Sequence, residues 1–334
     1  GEGWDYITCI TEMQDGGYLA GGYFQSTSVD LENGVVLNNN DGYDGMIIKY
    51  DESGNVEWAN AIGGNNEDQI TCIAETRDGG YIVGGYFKSN SIDLGNGEVL
   101  NNSGNYDGII IKYDESGNVE WGKAVGGTYD DRITCITETQ DGGYAVGGYF
   151  YSTSIDLGNE VVLNNNDNDD GMIIKYDENG KVEWGKAVGG EGWDYITCIT
   201  EMQDGGYAIG GNFNSYSINL GNGVILNNKS EDDGMIIKYE TIEIVNVEIK
   251  EQKKLDGNII EAMIETSDGG NLIGKSDSSN LCMIKYDSAW NVEWEKEIKG
   301  RYNDRINCIV ETIDGGYIVV GSFYSSSIDL GNGI

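Results

Sequence analysis

The chain has 334 residues, 57 of them acidic and 20 basic, with no histidine and no proline, for a formal net charge of −37 at pH 7. Such a surface repels nucleic-acid phosphates and anionic lipid headgroups, so neither nucleic acid nor a membrane is an expected partner. No run approaches the ~18 apolar residues of a membrane-spanning helix, and apolar residues, 39% of the chain, recur in a regular pattern that argues against disorder.

From the N-terminus, Ile7, Ile70, Ile133 and Ile196 each open the triplet I-T-C, a 63-residue period held without slippage. Trp58, Trp121 and Trp184 keep the same spacing. Self-similarity at a fixed period marks a repeat architecture, and here the units run approximately 1–63, 64–126, 127–189, 190–253, 254–300 and 301–334. Unit five is shortened: 28 positions separate Tyr18 from Met46 but 11 separate Asn271 from Cys282, so 17 residues are missing from its middle. Unit six stops at Ile334 after "DGGYIVVGSFYSSSIDLGNGI". The expectation is a piece of a longer protein, with self-association through the incomplete sixth unit as one way to complete it.

Within a unit the hydrophobic period is two. In unit two, "ITCIAET" (70–76) is β-branched and alternating, "RDGG" supplies a tight turn, and "YIVGGYF" (81–87) reads as a second strand. "GIIIKYD" (108–114) and "NVEWGKAVG" (118–126) form another pair, joined by "ESG", whose glycine can take the positive φ of a bulged hairpin. The stretch 242–254 fits the last strand of unit four, with Ile249 in the tryptophan position. Four antiparallel strands per unit, A to D, predict an all-β chain, a β-propeller of four-stranded blades with about five and a half blades present. A β-solenoid has shorter coils, and a lone four-stranded sheet in a string of small sandwiches cannot bury both apolar faces; stacking blades face to face does. Between strands B and C an insert such as "KSNSIDLGNGEVLNNSGNYD" (88–107) predicts a short extra hairpin on one rim, absent from unit five.

The stretch 81–127, "YIVGGYFKSNSIDLGNGEVLNNSGNYDGIIIKYDESGNVEWGKAVGG", carries G-Y-F, S-x-D, D-G before I-x-K-Y-D, and G-N-x-x-W. In these features it resembles the bacterial SBBP-type β-propeller repeat, and the resemblance extends over essentially all 334 residues. It implies a propeller of the kind found in large exported or surface-attached bacterial proteins and brings no catalytic motif. The C–D hairpin also looks like that of quinoprotein propellers, without support for a quinone or metal site. The shortened unit five and the half-length unit six depart from the pattern and put blade count and ring closure in question.

Several repeated residues look like chemistry. Cys9, Cys72, Cys135, Cys198 and Cys308 share one strand A position, with Cys282 on strand C. Equivalent positions on adjacent blades lie beyond the ~7 Å reach of a disulfide, and such a spacing also prevents convergence on one soft metal, so buried small hydrophobes are expected. Glu12, Glu75, Glu138, Glu201, Glu265 and Glu311 stand three residues before Asp15, Asp78, Asp141, Asp204, Asp268 and Asp314. They form either a carboxylate ring that attracts a cation or, as repetition in every unit favours, a brace of turn and neighbouring blade. Lys49, Lys112, Lys175, Lys238 and Lys285 recur inside strand C and are expected to pair with carboxylates. Tyr50, Tyr113, Tyr176, Tyr239 and Tyr286 should pack between blades.

Calcium is the one cofactor to consider, otherwise none is expected. The insert loops concentrate hard oxygen ligands, with Asp41, Asp44, Asp107, Asp167, Asp170 and Asp233 as candidates. None follows an EF-hand pattern, and the aspartates before glycine equally serve as caps of strand C. The unit-specific aromatics Trp4, Trp193, Tyr106, Tyr129 and Tyr302 are candidates for stacking on a sugar or anchoring a partner, against simple loop packing. Without histidine, nucleophile elbow or P-loop, an enzyme is not expected. The leading reading is a non-catalytic recognition module of a bacterial surface protein that binds a protein or glycan through rim loops, extracellular or at the cell surface. A purely structural spacer in an adhesin-like protein is the alternative, or an intracellular sensor propeller, which cysteines kept as thiols in the cytoplasm would suit. A binding face should gather the unit-specific residues on one side; a spacer should scatter them.

Overall fold

A computed structural model describes residues 1–221, 223–228, 232–243, 246–255, 259–276, 280–299, 304–312 and 315–322, with backbone alone for 240–254, 280 and 299. Each of five blades is a four-stranded antiparallel sheet in the order A–B–C–D. The strands are Asp5–Glu12, Tyr18–Phe24, Asp44–Tyr50 and Val56–Ile62 in blade 1, and Asp68–Glu75, Tyr81–Phe87, Asp107–Tyr113 and Val119–Val125 in blade 2. Blade 3 has Asp131–Glu138, Tyr144–Phe150, Asp170–Tyr176 and Val182–Val188; blade 4 has Asp194–Glu201, Tyr207–Phe213, Asp233–Glu243 and Asn246–Leu255. Blade 5 has Ile259–Glu265, Asn271–Ser276, Asn280–Tyr286 and Val292–Lys299. The chain is an all-β propeller of antiparallel four-stranded sheets. Of unit six, the described part is a hairpin of Arg305–Glu311 and Tyr317–Ser322, and its further strands and any self-association through them fall outside the described residues.

The recurring decapeptide "DGGYIVGGYF" has a steric explanation. In its turn, Asp78 Oδ1 accepts the Gly80 N–H at 2.9 Å and Gly79 takes φ +83°, a conformation that side chains disfavour. In its strand, a bulge between Ile70 and Cys72 pushes strand A toward strand B, and a Cβ on Gly85 would lie 1.9 Å from the Gln69 carbonyl oxygen. A Cβ on Gly84 would meet the Cys72 sulfur at 2.7 Å. Gly79 is thus set by its backbone conformation, Gly84 by neighbouring side chains and Gly85 by backbone approach; blades 1 to 4 keep all of them, whereas blade 5, with the same bulge between Ile260 and Ala262, pairs Ile260 with Lys275 and keeps only Gly274 of the strand pair.

The inserts of blades 1 to 4 are two-stranded hairpins, at Ser28–Asp30 with Val36–Asn38, Ser91–Asp93 with Val99–Asn101, Ser154–Gly158 with Val161–Asn164, and Ser217–Gly221 with Val224–Asn227. Leu94 and Leu100 of the second insert lie against Gly122 in strand D of their own blade. Blade 5 has only residues 277–279 between strands B and C, too few for such a hairpin, as its shortened sequence requires.

The fold falls into two compact bodies. Residues 1–165 and 174–185 form the first, and residues 166–173 and 186–334 form the second. In the first, Thr8 Oγ1 donates to the Ile70 carbonyl and Thr71 Oγ1 to the Ile133 carbonyl, both at 2.7 Å, so each strand A is stitched to the next. Apolar residues of blades 1 and 2 interleave in one core that includes Leu19, Ile47, Ile62, Ile70, Val83 and Phe87. The second body repeats the plan: Thr197 Oγ1 donates to the Ile260 carbonyl at 2.7 Å, and Cys198, Met202 and Ile236 pack with Ile260, Met263 and Ile273. Burying such side chains stabilises by about 1.5–3 kcal/mol each, which a single exposed sheet would forgo.

The repeated polar residues turn out to belong to this scaffold. Lys112 is buried and reaches Asp78 at 2.9 Å and Glu120 at 3.0 Å. Lys49, Lys175 and Lys285 make the same pair of contacts, and Lys238 binds Asp204 at 2.8 Å. Burial pushes the Asp78 carboxyl up, yet hydrogen bonds from Thr76 and Lys112 outweigh it and hold the group down at about 2. Glu75 and Glu138 accept the backbone N–H groups of Gln14 and Arg77 in the preceding blade, and Glu265 and Glu311 do so for Gln203 and Ser267. These four glutamates are braces between blades. Asp314 lies outside the described residues. No disulfide joins the described cysteines; Cys9, Cys72, Cys135, Cys198 and Cys282 are buried, and burial pushes the Cys198 thiol up to about 12.

Candidate binding rim

At one end of each of blades 1 to 4 the loop entering strand A lies beside the segment leaving strand B. Backbone bonds tie them together: Gln25 N–H to the Trp4 carbonyl at 3.0 Å, Lys88 to Glu67 at 2.9 Å, and Tyr151 to Asp130 and Asn214 to Trp193, both at 2.8 Å. The first residue of strand A clamps the pair. Asp68 accepts N–H bonds from Gly64, Lys88 and Ser89 and the Ser89 hydroxyl at 2.6 Å; Asp131 and Asp194 hold Ser152 and Ser215 in the same way. Side chains displayed by these loops therefore stand on a fixed frame.

What they display is aromatic. In the first body, Trp4 is 66% exposed, with Tyr6, Tyr129 and Tyr151 also exposed, and the rings of Tyr129 and Tyr151 lie 5.4 Å apart. In the second body, Trp193 is 52% and Tyr216 83% exposed. Tyr6, Tyr151 and Tyr216 were not singled out by sequence, although they too are unit-specific: their counterparts in unit two are Gln69, Lys88 and Asn90. Tyr302 lies outside the described residues.

Tyr106 is built in rather than displayed. Its hydroxyl donates to Glu67, its ring stands edge-on to Tyr86 with centroids 5.5 Å apart, and Lys88 lies 4.8 Å above it. The Arg132 guanidinium, from blade 3, stacks 4.2 Å from the Tyr86 centroid and 4.5 Å from that of Tyr106. Asp130 approaches Arg132 at 3.8 Å. In the second body Asp169 stands at the position of Tyr106 and Tyr195 at that of Arg132, and the Tyr195 hydroxyl donates to Asp169 at 3.1 Å.

The calcium candidates are placed one by one. Asp41 is exposed and its carboxylate accepts its neighbour Gly42 N–H at 2.9 Å; Asp167 is exposed. Asp44, Asp107, Asp170 and Asp233 are buried at the start of strand C. The first three accept backbone N–H bonds from Asn40, Ser103 and Asn166 at 2.7–2.9 Å through one oxygen, as caps do, while the other oxygen has no hydrogen-bond donor. Burial, and after the offsetting N–H bond the repulsion of Asp68, Asp131 or Asp194, pushes these carboxyls up to about 6. Among the described residues no three His, Cys, Asp or Glu groups converge as a metal site would need. The rim brings together stacking faces and hydrogen-bonding groups.

No known protein-family model matches the chain, and no curated protein matches it. Among solved structures, a protein of unknown function from Bacteroides caccae is similar over 84% of this chain and 80% of its own, at 10% identity and a TM-score of 0.47. The Pan2 WD40 domain of Neurospora crassa is similar over 94% and 86%, at 8% identity and a TM-score of 0.48. The Sqt1 protein of Chaetomium thermophilum is similar over 95% and 93%, at 13% identity and a TM-score of 0.42. At these scores the likeness adds nothing to the strand order and register of the chain itself, which carry the fold.

Proposed function

We propose that the chain is a non-catalytic recognition module, a propeller whose rim loops bind a protein or a glycan, in a larger bacterial surface protein of the SBBP-repeat type. One observation carries the reading: the exposed unit-specific aromatics, Trp4, Tyr6, Tyr129, Tyr151, Trp193 and Tyr216, all stand at the same end of their blades, between the entry to strand A and the exit from strand B. A spacer has no need to keep large aromatic faces in water, and their exposure costs solubility unless a ligand covers them. The cysteines are compatible with an oxidising exterior, because buried thiols with raised pKa are poor nucleophiles. The strand C lysines and the repeated glutamates leave the list of candidate reactive groups, since they bind within the scaffold.

The reading is tested by probing glycan and peptide arrays with the wild-type chain and with a variant carrying Trp4→Ala, Tyr129→Ala, Trp193→Ala and Tyr216→Ala. All four side chains are exposed, so the variant should melt near wild type. Loss of the captured spots in the variant is the expected result. Equal capture by both proteins would remove the rim from consideration.

A further inference from the structure

We propose that the groove between strand D of blade 1 and the insert hairpin of blade 2 is a binding site for a primary ammonium group, a lysine side chain carried on an exposed segment of a partner protein. The site uses none of the exposed rim aromatics and goes beyond the rim reading.

Blade 4 shows such a group held by the chain itself. Lys186, in strand D of blade 3, reaches across to the next blade: its ammonium donates to the Leu220 carbonyl of the insert at 3.3 Å and stands 4.5 Å above the ring of Tyr239 in strand C. Beside Leu220 the chain has the uncharged Asn219, and burial pushes the pKa of the Lys186 ammonium down. A carbonyl and an aromatic face therefore hold a lysine there without a carboxylate.

Two 63-residue periods earlier the same positions are Asn60, Leu94 and Tyr113, and all three line a groove of about 360 Å³. Asn60 is too short to follow the path of Lys186, and its Nδ2 donates instead to the Gly117 carbonyl of the C–D turn at 3.1 Å. Asp93 stands where blade 4 has Asn219 and also lines the groove; its Oδ1 accepts the Gly95 N–H at 2.9 Å, which leaves Oδ2 for a cation. The intervening groove, of about 410 Å³, has Lys123 at the position of Asn60, its ammonium 5.7 Å from the Trp121 centroid. Of these three repeated positions, the first alone has no lysine of its own. The net charge of −37 draws a cation to it. An ammonium is a compact charge that one carbonyl and one carboxylate can hold, whereas a guanidinium brings five N–H donors in a rigid fork, which selects lysine over arginine.

The experiment follows the Leu94 methyl groups by NMR in the full chain while a capped Gly-Gly-Lys-Gly-Gly peptide is titrated, beside peptides with arginine or the uncharged norleucine in place of lysine. A saturable shift at Leu94 is expected, with arginine about fivefold weaker and norleucine weaker still. Asn60→Lys, which installs the residue that blade 3 uses at this position, should fill the groove from within. It should move the Leu94 methyls in the same direction as the saturating peptide and weaken that peptide at least about tenfold. Asp93→Asn, which copies blade 4, should weaken it about threefold, the effect of losing an exposed ion pair. The variant lacking the four rim aromatics should bind the lysine peptide as the wild type does, so loss of the rim reading leaves this site standing. Norleucine or arginine binding as tightly as lysine, an affinity untouched by Asn60→Lys, or no shift at Leu94 would each overturn the proposal.

Discussion

Asp107 shows at the scale of one residue how the scaffold carries a cost. Its Oδ2 accepts the Ser103 N–H at 2.7 Å, but its Oδ1 is buried against Gly126 without a donor, and Asp131 of the next blade faces it with a second buried carboxylate. Burial and that repulsion place its pKa at about 6, above the ~3.9 of a free aspartate. Between these values the folded chain holds a proton that the unfolded chain has released. The stabilisation is therefore full below about pH 4 and lost as pH rises through 6. Asp44 and Asp170 repeat the arrangement, while Asp78 and Asp268, held at about 2, contribute above pH 4 and fail only in stronger acid. Stability should accordingly peak on the acid side of neutrality. Asp107→Asn keeps an acceptor for Ser103 and removes the buried charge, so it should stabilise the chain by about 1–2 kcal/mol at pH 7.5. Thermal unfolding of the two proteins at pH 7.5 and 4.5 checks this; the gap should shrink at the lower pH, and a variant that melts below wild type at pH 7.5 would show that the carboxylate is a needed ligand.

The C–D hairpin of blade 5 makes the corresponding case at the scale of an element. In blades 1 to 3 the turn carries a glycine of positive φ, and a Cβ on Gly117 would lie 3.1 Å from the Trp58 ring of the preceding blade. Blade 5 has Trp290 in that place, at φ +61°, although the left-handed region costs a side chain about 1 kcal/mol. The exchange is readable in the sequence, since unit four has Ile249 where units one to three have tryptophan. Trp290 packs 5.5 Å from Tyr286 and joins the core of blades 4 and 5, so the indole arrives from the other side of the junction. Trp290→Gly would relieve the backbone and lose the ring, and loss of a large core aromatic outweighs relief of that strain. The variant should be less stable by about 1–3 kcal/mol in denaturant titration. A rise in stability would mean that strain, not packing, dominates there. The four strands, the insert hairpins and the paired lysines were all legible beforehand, because each depends on period-two alternation or on a residue repeated in register. Arg132 on Tyr86 and Tyr106 was not. It joins residues of different blades, and nothing in the spacing of 86, 106 and 132 says that the side chain leans backward.

At the scale of the whole molecule the governing fact is charge. A net −37 on 334 residues opposes the compact state through long-range repulsion, and 20 basic residues against 57 acidic ones offset only part of it. The unit-specific aromatics could be read from sequence as departures from the repeat, but their common placement at one blade end emerged only when the strand A entry and strand B exit were seen to be bonded neighbours. On the proposed function charge and rim act together: a strongly acidic body draws cationic segments from a distance, and the aromatic loops supply the short-range contact. The repulsion itself has a direct signature. Raising NaCl from 10 to 300 mM shortens the screening length from about 30 Å to less than 8 Å, which weakens the long-range surface repulsion. The melting temperature at pH 7.5 should therefore climb by several degrees over this range and then level off. Near pH 4, close to the isoelectric point of 4.1, the same salt series should leave it almost flat. A melting temperature that falls with salt at pH 7.5 would mean that exposed ion pairs, rather than self-repulsion, dominate the electrostatics of the fold.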